Sequence, residues 1–200
     1  MSRPRVVLFA LLVATVLTHA QPATPYDVII RGGTVLDGTG EPRYAADVGI
    51  VRGFIARVGN LDGHTASTQI DATGLYVTPG FVNIHSHATP DGLQTAANML
   101  LQGVTTEIIN ADGGGSTDLD EQLHRLRVAG LAVNVGASIG FNAIWATVMG
   151  PTDRRPSSAD VEKMRGMVLR GLEQGAYGVS AGLDYKPAYY ASAEDVGRIV

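Results

Sequence analysis

The chain has 200 residues, 45% of them hydrophobic and 17% charged, with a formal net charge of −4. That length and apolar content support a sizeable core and exclude a disordered chain. The mildly acidic balance, without a basic patch, argues against nucleic acid as a partner, and the absence of cysteine excludes disulfides and thiolate metal ligands.

The N-terminus reads apart from the rest. Arg3 and Arg5 precede an apolar run over residues 6–17, and Thr18-His19-Ala20 puts small residues at −3 and −1 of a cleavage site. This is the layout of a secretory signal, predicted over residues 1–20, with the mature protein periplasmic or secreted. The run is shorter than the ~20 residues of a membrane-spanning helix, so no membrane association is expected after cleavage. An uncleaved anchor is the alternative.

Residues 21–77 read as a small β module. Short apolar runs at 26–30, 34–36, 47–51, 54–58, 69–71 and 75–77 are divided by glycine-rich turns. Arg52-Gly53 between two such runs signals a hairpin. The pattern changes over residues 78–200. A buried strand is predicted at 81–84, then a helix with Thr89 as N-cap, Pro90 at its first position, an apolar stripe of Ala97, Leu100 and Leu101, and Gly103 as its end. A strand at 104–110 leads to a helix from Ser116, with Leu119, Leu123 and Leu126 on one face and Gly130 closing it. A strand at 131–135 follows. Ser157 or Ser158 caps a third helix, with Val161, Met164, Val168 and Leu172 at helical spacing and Gly175 at its end. A strand at 177–181 precedes a helix opened by Ser192, with Asp195 in the capping-box position. Alternating strands and helices imply an α/β fold with a parallel sheet. Four βα units are half of an eight-unit barrel. The chain stops inside the fourth helix, so it reads as the N-terminal piece of a longer protein. A small open α/β sheet is the alternative.

The chemistry concentrates in VTPGFVNIHSHATPDG, residues 77–92. Residues i and i+2 of a strand point to one side, so His85 and His87 project together at the strand's C-terminal end, where parallel α/β folds place their sites. Two imidazoles suit zinc or another borderline divalent metal. They are equally readable as two polar residues of a loop. After the next strand, Asp112 reaches the same level, followed by three glycines. It is either a third ligand or the start of an Asx-turn. Glu107 is the rival carboxylate, mid-strand and on the opposite face.

Three stretches, YDVIIRGGTVLDGTGEPRYAADVGIVRGFIARVGNL, IDATGLYVTPGFVNIHSHATPD and QGVTTEIINADGGGS, resemble the amidohydrolase superfamily. NVGASIGFNAIWATVMG and GLEQGAYGVSAGLDYKPAYYAS are similar to its N-acyl-D-amino-acid deacylase (D-aminoacylase) branch. The resemblance implies the N-terminal half of a metal-dependent (β/α)8 TIM-type barrel plus part of a small β-sandwich. It implies one or two divalent metals, zinc foremost, held by His85, His87 and Asp112. Asp112 stands where the branch often has cysteine, a change to a harder oxygen ligand. Tyr185 matches a tyrosine that donates to the substrate carbonyl oxygen; a packed surface tyrosine is the other reading. Phe141 replaces a family histidine and Trp145 a family arginine, in a loop after the third strand where Phe141 and Asn142 are expected to contact substrate in a more apolar pocket. The implied activity is hydrolysis of an N-acyl amide, foremost of an N-acyl-D-amino acid, by attack of metal-bound hydroxide on the carbonyl. The alternatives are a cyclic amidase of dihydroorotase or hydantoinase type and a truncated, non-catalytic relative. The 200-residue piece taken alone is expected to be inactive.

Overall fold

The computed structural model describes residues 26–200. The signal-sequence expectation for residues 1–20 lies outside the described residues. The chain divides into two compact units, with the boundary between Pro79 and Gly80. Among the described residues no helix is long and apolar enough to cross a membrane.

The first unit is one five-stranded sheet. It comprises β1 (Tyr26–Val35), β2 (Tyr44–Val51), β3 (Phe54–Gly59), β4 (Ala66–Asp71) and β5 (Tyr76–Val77), in the order β3-β2-β1-β4 with β5 also on β1. β1 runs antiparallel to β2 and parallel to β4 and β5. The hairpin between β2 and β3 turns on Arg52 (φ 51°) and Gly53 (φ 78°), both left-handed, as a two-residue type I′ turn requires. Tyr26, Ile29 and Leu61 form a small core. His64 is half-buried and packs edge-on against the Tyr26 ring.

The second unit alternates strands and helices. Its strands are β6 (Phe81–Asn83), β7 (Val104–Ile109), β8 (Asn134–Ala137), β9 (Ile139–Gly140) and β10 (Val179–Ser180), and all pairings among them are parallel. The order is β6-β7-β8, and β9 pairs with β10. β8 and β9 are separated only by Ser138, whose N–H donates to Ile109 O at 3.1 Å. The strands therefore follow one another in chain order. Six helices accompany them: α1 (Pro90–Thr95), α2 (Ala97–Leu100), α3 (Leu119–Ala129), α4 (Phe141–Met149), α5 (Ser158–Glu173) and α6 (Ala193–Ile199). The core joins Leu93, Leu119, Ile139, Phe141, Trp145 and Met164, each at most 1% exposed.

The capping signals act as read. Thr89 caps α1 with Pro90 behind it, and Ser157 and Ser192 each form a capping box with the aspartate three residues on, Asp160 and Asp195. Gly103, Gly130 and Gly175 all have φ between 77° and 94°, the left-handed conformation that lets the chain leave a helix and return to the sheet.

Other expectations are corrected. The strand at 81–84 is three residues long and exposed rather than buried: Phe81 is 56% and Ile84 80% accessible. β6 pairs on one side only, with β7, among the described residues. The stripe of Ala97, Leu100 and Leu101 does not form, and Leu101 is 89% exposed. Ala96 adopts φ 41°, which ends α1 and resets the helical phase, so Leu93 and Ala96 carry the burial instead. The second helix starts at Leu119 rather than Ser116. Asp118 is its cap, and the Ser116 hydroxyl accepts the Asp118 N–H in a turn before it. The strand predicted at 131–135 begins at Asn134, and that at 177–181 shrinks to Val179–Ser180. In α5, Leu172 is exposed and Gly171 meets the sheet, because a Cβ there would come within 2.7 Å of Ile139 Cγ1.

The largest correction concerns the segment after the third strand. It is the helix α4, not a loop, and Phe141 and Trp145 are both fully buried with ring centroids 5.8 Å apart. Every residue of FNAIWATVM from Phe141 to Met149 except Asn142 and Thr147 is apolar, which makes this helix a core element.

Candidate metal centre

His85 and His87 lie just past the end of β6, in a segment that still follows β7. Ser86 N–H donates to Ile108 O at 3.1 Å, and Ser86 is 3% exposed. With Ser86 turned inward, the histidines on either side project the same way. The turn that starts this segment is held by Asn83, whose Oδ1 accepts the His85 N–H at 3.2 Å. The Ser86 hydroxyl accepts the Ala88 N–H at 3.1 Å and leads the chain to the α1 cap.

Asp112 arrives from the end of β7 through a short 3-10 turn, Ala111–Gly113. Asn110 (φ 66°) and Asp112 (φ 55°) are both left-handed. Such a conformation costs of order 1–3 kcal/mol for a residue with a Cβ, least for Asn and Asp, and persists where neighbours impose it. The neighbours here are specific. The Asn110 amide donates to Gln122 Oε1 at 2.9 Å and to Ser138 O at 3.0 Å, and it accepts from Gln122 Nε2 at 3.0 Å. Ser180, from β10, donates to Asn110 O at 2.5 Å and accepts the Gly113 N–H at 3.0 Å. Tyr185 donates its hydroxyl to Asp112 O at 2.5 Å. The last strand thus straps down the loop that follows the second.

The result is a convergence of three ligand atoms. Asp112 Oδ2 lies 3.0 Å from His87 Nε2 and 3.4 Å from His85 Nε2, and the two Nε2 atoms are 3.3 Å apart. Tetrahedral zinc with bonds of about 2.0–2.1 Å has ligand atoms about 3.3–3.4 Å from one another. The triangle fits a single cation. Without one, two ring nitrogens and a carboxylate oxygen crowd around one point with few protons to share. This is the one group of three or more metal-capable side chains among the described residues. Its side chains are 40–65% exposed, so the site opens to solvent. The sequence therefore placed these three residues together, and the Asx-turn alternative for Asp112 does not describe its side chain.

Tyr185 is brought to the rim of the site, with its hydroxyl on the Asp112 main chain. Burial, and then the charges of Asp112 and Asp184, raise its pKa above that of a free phenol, so the group stays a donor. Lys186 points away, with Nζ 5.7 Å from the centre of the Tyr190 ring. His124 is on the exposed face of α3.

Phe141 and Asn142, the expected substrate contacts, both lie in the interior of the second unit. Phe141 is in the core, and Asn142 is 7% exposed. The Asn142 amide clips the backbone of Gly182, donating to its carbonyl at 2.7 Å and accepting its N–H at 3.0 Å. Its side chain also fills the space that a Cβ on Gly113 would need. Asn142 therefore ties α4 to the Asp112 loop and to the segment leading to Tyr185.

Two residues that support the centre, Asn83 and Ser180, were not singled out from sequence, and Glu107, read there as the rival carboxylate, is instead the partner of Asn83. Glu107 is fully buried, its Oε2 accepts from Asn83 Nδ2 at 2.8 Å, and its Oε1 has no partner. A carboxylate inside the run VTTEIIN was the available signal.

No family model matches the chain. A D-aminoacylase of Alcaligenes xylosoxydans xylosoxydans is 30% identical over 198 residues, covering 86% of this chain and 41% of its own. Among solved structures, that of D-aminoacylase, which defines a novel subset of amidohydrolases, matches with a TM-score of 0.78 and 31% identity over 88% of this chain and 42% of its own. N-acyl-D-glutamate deacylase from Bordetella bronchiseptica, solved with zinc and a phosphonate mimic of the tetrahedral intermediate, matches with a TM-score of 0.76 and 29% identity over the same shares. The chain thus spans about two-fifths of the length of these relatives. By sequence and by fold, most of the chain is similar to D-aminoacylase and to the subset of amidohydrolases that it defines.

Proposed function

We propose that the full-length protein is a metal-dependent hydrolase of N-acyl amide C–N bonds, with N-acyl-D-amino acids as its substrates. The observation that carries this reading is the triangle of His85, His87 and Asp112, with edges of 3.0–3.4 Å. The names of its relatives supply the substrate class. Zinc is the proposed ion, in line with the zinc-bound deacylase structure. A divalent cation supplies Lewis acidity and makes water a nucleophile near neutral pH. The chain's own residues do the rest. His85, His87 and Asp112 hold the cation on an exposed rim, and Ser180 keeps Asp112 in its strained turn. Tyr185 gives its O–H to the oxygen of the substrate carbonyl as charge develops there, leaving the Asp112 main chain.

The chain-ordered parallel strands of the second unit support its reading as the first four βα units of a (β/α)8 barrel, residues 78–200. The first sheet, within residues 21–77, is read as part of a β-sandwich. Residues 1–20 are read as a signal that sends the protein to the periplasm or beyond. Fusing them to a reporter that folds only after export tests that part.

The functional test is metal content and hydrolysis of N-acetyl-D-amino acids by the full-length protein. One or two divalent ions per chain and cleavage of the D but not the L series are expected. His85→Ala with His87→Ala should lose both metal and activity; retention of both would overturn the assignment.

A further inference from the structure

Glu107 is a costly residue in its position. It sits mid-strand in β7 between Thr106 and Ile108, is 0% exposed, and keeps Oε1 without a partner. A buried carboxylate is expensive, and an apolar residue of the same volume commonly leaves a fold as stable or more so. The side chain it holds is Asn83, directly opposite in the parallel register of β6 and β7. Asn83 in turn holds the first histidine, since its Oδ1 accepts the His85 N–H.

An asparagine amide has one donor end and one acceptor end. Glu107 Oε2 accepts and cannot donate when ionised, so it selects the donor end of Asn83. That leaves the acceptor end facing the His85 N–H. Turned the other way, the amide would set oxygen against oxygen at Glu107 and N–H against N–H at His85. The carboxylate thus determines the orientation of the amide, and the amide determines the turn from which His85 and His87 project. Glu107 also lines, with Asn83, His85, Ser86 and His87, one recess of about 390 Å³ behind the histidines.

We propose that Glu107 is a positioning residue that, through Asn83, sets the His85 backbone and so aligns the His85–His87 pair on the metal. The proposal rests on the reading of His85, His87 and Asp112 as a metal centre. The relay acts on ligand direction, so its removal shows in metal affinity and in the ligand field.

The experiment uses the full-length protein, Zn²⁺ titrated against a competing chelator, and the visible absorption of the Co²⁺-loaded form. Glu107→Leu is expected to weaken Zn²⁺ binding about 10–100-fold, the usual effect of losing a partner behind the ligands, and to shift the Co²⁺ bands. Glu107→Gln keeps an acceptor for Asn83 and should restore affinity to within about threefold of wild type. Asn83→Ala breaks the relay outside the buried position, so it reports even where Glu107→Leu fails to fold. It should show the same loss, with little further loss when the two changes are combined. Wild-type affinity and unshifted Co²⁺ bands in Asn83→Ala would overturn the proposal. His85→Ala separates the two levels. If it too binds Zn²⁺ as wild type, the metal centre itself is misassigned. If it loses Zn²⁺ while Asn83→Ala and Glu107→Leu do not, the centre stands and only the relay falls.

Discussion

Asn142 offers the sharpest test of how the centre is built, because sequence pointed to a substrate contact and the structure makes it a backbone clip. Asn142→Leu keeps the volume and removes both bonds to Gly182, which span 2.7 and 3.0 Å. Gly182 is itself buried, so its N–H and C=O are left without water or protein partners. Each orphaned group costs about 1–3 kcal/mol. The buried leucine returns about 1–2 kcal/mol of apolar transfer energy. At mid-range values the net loss is about 2–3 kcal/mol, which lowers the urea midpoint by about 1–1.5 M at an m-value of about 2 kcal/mol/M. Equilibrium urea unfolding of wild type and variant, followed by far-UV circular dichroism, measures it. A stability change under about 0.5 kcal/mol, the range of surface substitutions, would refute the clip and return Asn142 to the substrate pocket.

Two further outcomes follow from packing and charge. Gly171→Ala introduces a Cβ 2.7 Å from Ile139 Cγ1, an overpacking that should cost about 1–3 kcal/mol by the same unfolding measurement. A neutral result would mean that α5 can move off β9. Asp195 is 3% exposed and takes hydrogen bonds from the Ser192 N–H and hydroxyl, with Arg155 paired to it. Burial raises its pKa, but the Ser192 bonds and the charges of Arg155 and Arg198 outweigh it, so the folded pKa lies below the ordinary aspartate value. A depressed pKa means that the stabilisation is present above about pH 4 and is lost as pH falls through the folded value. Asp195→Asn should therefore be less stable than wild type at pH 7, with the gap narrowing below about pH 4. A gap that stays constant down to acid pH would refute this assignment.

Local signals carried much of the architecture. Thr89-Pro90, Ser157 and Ser192 start helices because a side-chain oxygen three residues from a free N–H needs no distant partner. Gly103, Gly130 and Gly175 end helical segments because the required φ belongs to the residue itself. The i, i+2 spacing that puts His85 and His87 on one side is equally local, and so is the arrival of Asp112 at the end of the next strand. Tertiary structure decided the rest. The 3.0–3.4 Å triangle depends on the parallel pairing of β6 with β7. The left-handed turn at Asp112 depends on Ser180 and Tyr185, some 70 residues away in the chain. Phe141 and Trp145 could pass for pocket residues until α4 was seen buried on both, because an apolar segment carries no mark of which surface covers it. Glu107 became interpretable only opposite Asn83. A buried carboxylate acquires its meaning from the group it faces, and that group is set by strand register rather than by neighbours in sequence.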